Sequence, residues 1–186
     1  LVHSDGISPA WPLRYEEFAP WYDEAEQLFH VHGERGEDPN EPPCNGAFPY
    51  PPVSHETEVE ALRAGLAAQG LKPFHLPLGI LLEERDGKPT RTSRCIKCDA
   101  FDGFPCPLDA KADSQVVCID PMLRDHANVT LLTNAMVDRL ETDASGKRIT
   151  QVCVTRNGQP ERYSADIVVA ACGVPVGRYI DVPGSI

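Results

Sequence analysis

The 186-residue chain is long enough to build one domain around a real core, and its 41% hydrophobic share contains no apolar run near the roughly 18 residues that span a bilayer. A formal net charge of -11, from 28 Asp and Glu against 17 Lys and Arg, sets nucleic acid aside, because a phosphate backbone is bound by clustered basic residues. Seven cysteines, an odd number, argue against a fully paired secreted scaffold, and a reducing, cytoplasmic setting is expected.

The chain opens at Leu1 with neither a Met nor a signal-type leader, so an internal piece of a longer product is expected. From residue 15, the pattern YEEFAPWYDEAEQLFH places Phe18, Tyr22, Ala25 and Phe29 on one helical face, with acidic residues opposite. This predicts an amphipathic helix over 15–30, kinked at Pro20, with Trp11, Trp21 and Tyr22 as core rather than as stacking platforms for sugars. Pro39, Pro42, Pro43, Pro49, Pro51 and Pro52 then make 33–53 an extended covering loop. Ser54 has the character of an N-cap for a second helix, with Glu56 and Glu58 in its first turn and Val59, Leu62 and Leu66 at helical spacing until Gly70. LKPFHLPLGILLEE suggests one or two short strands broken by Pro73 and Pro77, and DGKP is turn chemistry.

Residues 92–114, TSRCIKCDAFDGFPCPLDAKADS, carry Cys95, Cys98 and Cys106 in a segment that Gly103, Pro105 and Pro107 keep out of helix and central strand. Thiols at this spacing suit zinc or, with Cys118 as a fourth ligand, an iron-sulfur cluster; the alternatives are loop thiols, a disulfide staple or a redox role. A helix over 113–124 follows, with Val116, Val117, Ile119 and Leu123 inward and Pro121 as its kink. The runs NVTLLT, AMVDRLETD, RITQVCVTR and ERYSAD are strand-like and punctuated by Ser145-Gly146 and Asn157-Gly158. The wholly apolar 167–172 is the kind of strand a parallel sheet buries on both faces, and its neighbours are expected to lie outside the chain. His30, His32, His55, His75 and His126 read as exposed or hydrogen-bonded histidines, and the alternation His30-Val31-His32 suits no ligand set.

This order, a cysteine loop ending in DAKADS, a helix, NVTLLTNAMVDRLETD, a hairpin and ADIVVAACG, resembles the middle of the glucose-methanol-choline flavoprotein oxidoreductases over residues 8–173. PAWPLRYEEFAPWYDEAEQLFHVHG and RCIKCDAFDGFPCPLDAKADS are its most specific stretches. The resemblance implies an α+β to α/β fold. Residues 113–186 would be part of an FAD-binding doubly wound domain with an antiparallel β-meander, and 1–112 a helical, loop-rich substrate-side and FAD-covering region. It also implies FAD contact at Ala135 and Val137, through the valine backbone, and close approach at Ala171, Cys172 and Gly173. Lys111 and Ser114 would stand near the flavin, with N-capping by Asp113 or Ser114 as the plain alternative.

The parent enzyme implied by this resemblance oxidises the CH–OH group of a small alcohol or sugar by hydride transfer to flavin and passes electrons to oxygen or another acceptor. No GxGxxG follows a strand, the tail GVPVGRYIDVPGSI departs from the family's Gly-Ala-x-Asn-Ser pattern, and the family's catalytic histidine has no counterpart. No catalytic residue is assigned, and the chain by itself is expected to be inactive. The competing expectation is a zinc, iron-sulfur or non-enzymatic module built on Cys95, Cys98 and Cys106.

Overall fold

A computed structural model describes residues 12–42, 44–99 and 103–172, together with the backbone of Ile180 and Asp181. The chain forms two compact units, 1–127 and 128–186, so the boundary expected at 112/113 falls fifteen residues later, roughly one helix further on, and the helix after the cysteine loop belongs to the first unit.

In the first unit, α1 (Tyr15–Leu28) begins where the Arg14 N–H donates to Glu17 Oε2 at 2.8 Å and Glu16 and Glu17 meet the positive end of the helix. Pro20 lies inside α1, which continues through it, and His30, with φ 49°, turns the chain out of the helix. Trp21 and Tyr22 are 68% and 50% exposed, contrary to the expectation of core, and Ala19 is the residue that α1 buries. Trp11 falls outside the described residues. β1 (Val31–His32) pairs antiparallel with β2 (Leu78–Gly79), and Tyr50 bridges His32 in parallel.

The proline-rich loop closes on Arg35, whose Nη2 donates to Glu26 at 2.5 Å and Nη1 to Glu41 at 2.6 Å while its guanidinium lies 3.6 Å from the centre of the Phe48 ring. Gly33 makes room for that ring, since a Cβ there would fall 2.6 Å from Phe48 Cδ2.

α2 (Thr57–Ala68) is capped at Glu56 rather than at Ser54 and buries no residue; Val59 and Leu62 are 47% and 61% exposed. Ser54 is drawn elsewhere, because its N–H and Oγ donate to the Glu84 carboxylate at 2.8 and 2.9 Å and its Oγ and carbonyl also receive Lys97 Nζ at 2.9 Å. β3 (Glu84–Arg85) and β4 (Lys88–Pro89) form a tight hairpin over Asp86 and Gly87, both at positive φ as a primed turn requires. Among the described residues, the buried apolar side chains of this unit are Ala19, Leu82, Ala110 and Ala112.

The helix expected over 113–124 is split: Gln115–Ile119 is a π-helix in which the Asp120 N–H reaches back to the Gln115 carbonyl, and α3 (Asp120–Asp125) follows with Pro121 in its first turn. Proline has no N–H to return to the preceding turn and its ring crowds that turn, so the chain widens before Pro121 instead of kinking at it.

The second unit is an antiparallel meander of β5 (Ala135–Thr142), β6 (Ile149–Arg156) and β7 (Gln159–Tyr163), with β8 (Ile180–Asp181) pairing parallel to β5 at Leu140 and Glu141. Asn157 and Gly158, at φ 49° and 77°, make the tight β6–β7 turn that their sequence predicts. Leu140, Cys153 and Val154 are its buried apolar side chains among the described residues, and Thr142 is buried as well. Three strand expectations are corrected. Residues 128–133 join no ladder, ERYSAD stops pairing at Tyr163, and the apolar run from Ile167 is unpaired, with Ile167 and Val169 81% and 79% exposed. Such a strand is held by neighbours on both sides, and the described residues supply none.

Acid should weaken the first unit. Hydrogen bonds from Arg63 and then His55 hold the Glu60 carboxyl at about 2, and Glu37 and Glu41 lie below their ordinary 4.5 because the His75 and Gly36 backbone N–H groups donate to them. A depressed carboxyl favours the folded chain wherever the unfolded chain's carboxyls are ionised, and that preference is lost as pH falls through the folded value. Tm is therefore expected to fall between roughly pH 5 and pH 2; a flat Tm across that range in thermal melts would contradict these contacts.

Candidate functional site

A cleft of about 850 Å³ opens in the first unit between α1 and the π-helix. Leu28, Leu81, Val116, Val117 and Pro121 are its apolar lining residues, and Glu24, Gln27, His30, Arg94, Asp109, Asp120 and Arg124 its polar ones. Several local features meet here: the π-helix, and two non-glycine residues in the left-handed region, His30 at φ 49° and Asp109 at φ 50°. Arg94 Nη1 donates to the Asp109 carbonyl at 3.1 Å, and Arg124 grips Asp125 through Nε and Nη2, both at 2.8 Å.

One of the histidines that sequence reasoning set aside, His30, lines this cleft, and a second, His32, stands behind it in a stack. His30 stacks on Tyr50 with ring centres 5.0 Å apart, and Tyr50 stacks on His32 at 5.1 Å. His32 is 4% exposed, and its Nδ1 lies 2.8 Å from the Pro51 carbonyl oxygen. That oxygen only accepts, so Nδ1 carries the hydrogen, and Nε2 is buried without a hydrogen-bond partner among the described residues. Alternating His-Val-His on a strand beside an aromatic is the signal that could have found this stack, but Tyr50 lies 18 residues past His32 and only the tertiary pairing brings it there.

Cys95, Cys98 and Cys106 do not assemble into a metal centre: no group of three or more His, Cys, Asp or Glu among the described residues could hold an ion. All seven cysteines are free thiols, so the loop is not stapled by a disulfide. Leu81 lies between the two halves of the loop, its carbonyl taking the Cys95 N–H at 2.9 Å and its own N–H donating to Ala110 at 2.8 Å. Lys97, between Cys95 and Cys98, ties the loop to Ser54.

Backbone N–H donation from Ala110, then from Leu108, lowers the Cys106 thiol, whereas burial followed by the bond to Glu141 raises that of Cys153. Iodoacetamide is expected to alkylate Cys106 at a lower pH than Cys153, read by peptide mass spectrometry across a pH series. Equal onset at both would show that these N–H groups do not stabilise a thiolate.

Of the residues that the resemblance marks for a cofactor, Lys111 donates through Nζ to the Phe104 carbonyl at 2.9 Å and pairs by its backbone with Ile80. Asp113 Oδ1 accepts the Val116 N–H at 3.0 Å, so the capping role falls to Asp113, while Ser114 is exposed with no side-chain cap bond. In the second unit, Ala135 and Val137 lie on β5 where β6 is its one partner among the described residues, the pairing with β8 being described at Leu140 and Glu141. A bulge between Val137 and Arg139 breaks the ladder at this place, and Val137 is 41% exposed. Ala171 and Cys172 are exposed, and Gly173 lies outside the described residues. These marked residues belong to different units, Lys111 and Ser114 to the first and the others to the second.

No family model matches the chain. It is 32% identical over 175 residues to the 6'''-hydroxyparomomycin C oxidase of Streptomyces lividus. The alignment takes in 92% of this chain, which spans about 30% of the length of that curated relative. Among the described residues no helix is long and apolar enough to cross a membrane.

Proposed function

We propose that this chain is a segment of a flavin-dependent oxidoreductase of the glucose-methanol-choline type, acting on the CH–OH group of a small alcohol or sugar. The likeness that carries the reading is the 32% identity, along 92% of the chain, to a protein named as an oxidase of a hydroxy-bearing molecule. The cysteine-loop and β-meander motifs support the flavin. So does the β5 stretch Ala135 to Val137, which pairs with β6 alone among the described residues and whose backbone N–H and C=O groups suit the edge of an adenine ring. FAD, when bound, supplies a hydride acceptor. This chain's residues have the tasks of holding the adenine end by the β5 backbone and seating the substrate in a cleft lined by both apolar and polar residues. The zinc or iron-sulfur reading has no assembled ligand set among the described residues to favour it.

The test is acid release of flavin from purified full-length protein followed by fluorescence, with anaerobic bleaching of bound flavin on adding an alcohol or amino sugar. Stoichiometric flavin that bleaches supports the reading; protein that carries no flavin and binds none when it is added overturns it.

A further inference from the structure

We propose that Cys106 is a site of oxidation by hydrogen peroxide and that its oxidised sulfur closes onto Cys95 as a reversible disulfide. The proposal rests on the oxidoreductase reading only for the source of peroxide, which an oxidase releases when dioxygen takes up two electrons and two protons. Peroxide added from outside tests the thiols whatever the parent reaction is.

Three hydrogen bonds lead from the Cys106 sulfur to the Cys95 backbone. The Ala110 N–H donates to Cys106 Sγ at 3.5 Å, the Ala110 carbonyl takes the Leu81 N–H at 2.8 Å, and the Leu81 carbonyl takes the Cys95 N–H at 2.9 Å. A second tie runs from Arg94 Nη1 to the Asp109 carbonyl at 3.1 Å, so residues 94–95 and 106–110 are held beside the same stretch of chain. Cys98 has no such tie. Among the described residues no hydrogen bond joins it to 106–110, and its neighbour Lys97 is fastened to Ser54. Cys95 and Cys106 are free and half-buried, within reach of an oxidant as small as peroxide.

The thiolate, not the thiol, is the nucleophile. The N–H groups of Ala110, then of Leu108, turn their positive ends to Cys106 Sγ and favour the anion there. That sulfur takes one peroxide oxygen, the O–O bond breaks and hydroxide leaves, which gives the sulfenic acid. The Cys95 sulfur then attacks it: the S–S bond forms, the S–O bond breaks, and water leaves with the Cys95 proton. The two sulfurs lose two electrons between them, and one peroxide becomes two waters. Leu81, Arg94 and Asp109, through which the two cysteines are joined, all line the cleft between α1 and the π-helix. The new bond therefore ties together two parts of the cleft wall.

The experiment treats reduced, desalted full-length protein with hydrogen peroxide, blocks the remaining thiols with iodoacetamide in denaturant and maps peptides by mass spectrometry without reductant. Cys106 is expected to be consumed about tenfold faster than the buried Cys153, which serves as the internal reference. A cross-linked peptide joining Cys95 to Cys106 should appear as Cys106 is lost, and dithiothreitol should remove it. Cys95→Ser should leave Cys106 as a sulfenic acid that dimedone traps, and Cys106→Ser should leave Cys95 a thiol. The wild-type map stands without either variant. Loss of Cys106 no faster than of Cys153, a disulfide that joins Cys106 to Cys98 instead, or loss of Cys106 without a reversible cross-link would each overturn the proposal. Flavin is measured on the same sample: the cross-link without flavin removes the flavoenzyme reading alone, and bound flavin with no cross-link removes this inference alone.

Discussion

Replacing Arg35 with methionine is expected to destabilise the first unit by about 3 kcal/mol, the scale for removing one partner of a largely buried ion pair. The guanidinium joins three parts of the chain: Glu26 on α1, Glu41 in the proline-rich loop, and the face of Phe48. Its side chain is 17% exposed and those of Glu26 and Glu41 22% and 14%, so methionine would strand two carboxylates with little water to replace the lost donors. Arg35→Lys should recover only part of the loss, because an ammonium cannot span both carboxylates as a planar fork while lying on the ring. Gly33→Ala attacks the same arrangement from below by pushing Phe48 out from under the guanidinium. Urea unfolding of each variant gives the measurement. A wild-type midpoint for Arg35→Met would mean that the loop is held by something other than this residue.

Leu140→Ala should be at least as damaging to the second unit, at about 3 kcal/mol for a buried leucine truncated to alanine. Leu140, Cys153 and Val154 are the buried apolar side chains described there, so no large core remains to absorb a cavity. Leu140 also sits where β5 meets both β6 and β8, and the same loss would loosen both pairings. Amide exchange across β5 and β6 is expected to accelerate together, while Leu140→Met, which conserves volume, should stay close to wild type. Protection unchanged in Leu140→Ala would show that the ladder hydrogen bonds hold the meander without this side chain.

Much of the secondary structure is written in short-range signals. α1 follows from its apolar spacing and early acidic residues, the β5–β6–β7 meander from alternation and from Asn157-Gly158, and the small hairpin from Asp86-Gly87. Each is a local preference, felt within a few residues and therefore visible in them. Where two local signals competed, the structure chose by partner. Ser54 was a good cap by type, but Glu84, 30 residues away, claims its N–H and hydroxyl. Residues 167–172 have the composition of a central strand, yet a strand is completed by its neighbours, and composition cannot show whether they are present.

The candidate site was legible in part. The cysteine loop, the DAKADS stretch and β5 were all marked, but the marked residues fall in both units, and no metal centre assembles from the thiols. The cleft was missed because it is made from α1, the Leu81 segment, the cysteine loop, the π-helix and α3, stretches that no single periodicity connects. The sequence by itself determined the acidic character of this protein, the placement of α1 and of the meander, and the turns between strands, since these depend on residue type and on neighbours in the chain. Only the tertiary structure decided that His30 faces a cleft, that Tyr50 and His32 hold it, and that Arg35 ties α1 to the loop. Those arrangements depend on the directions in which distant side chains point once the backbone has folded, which the order of residues does not display.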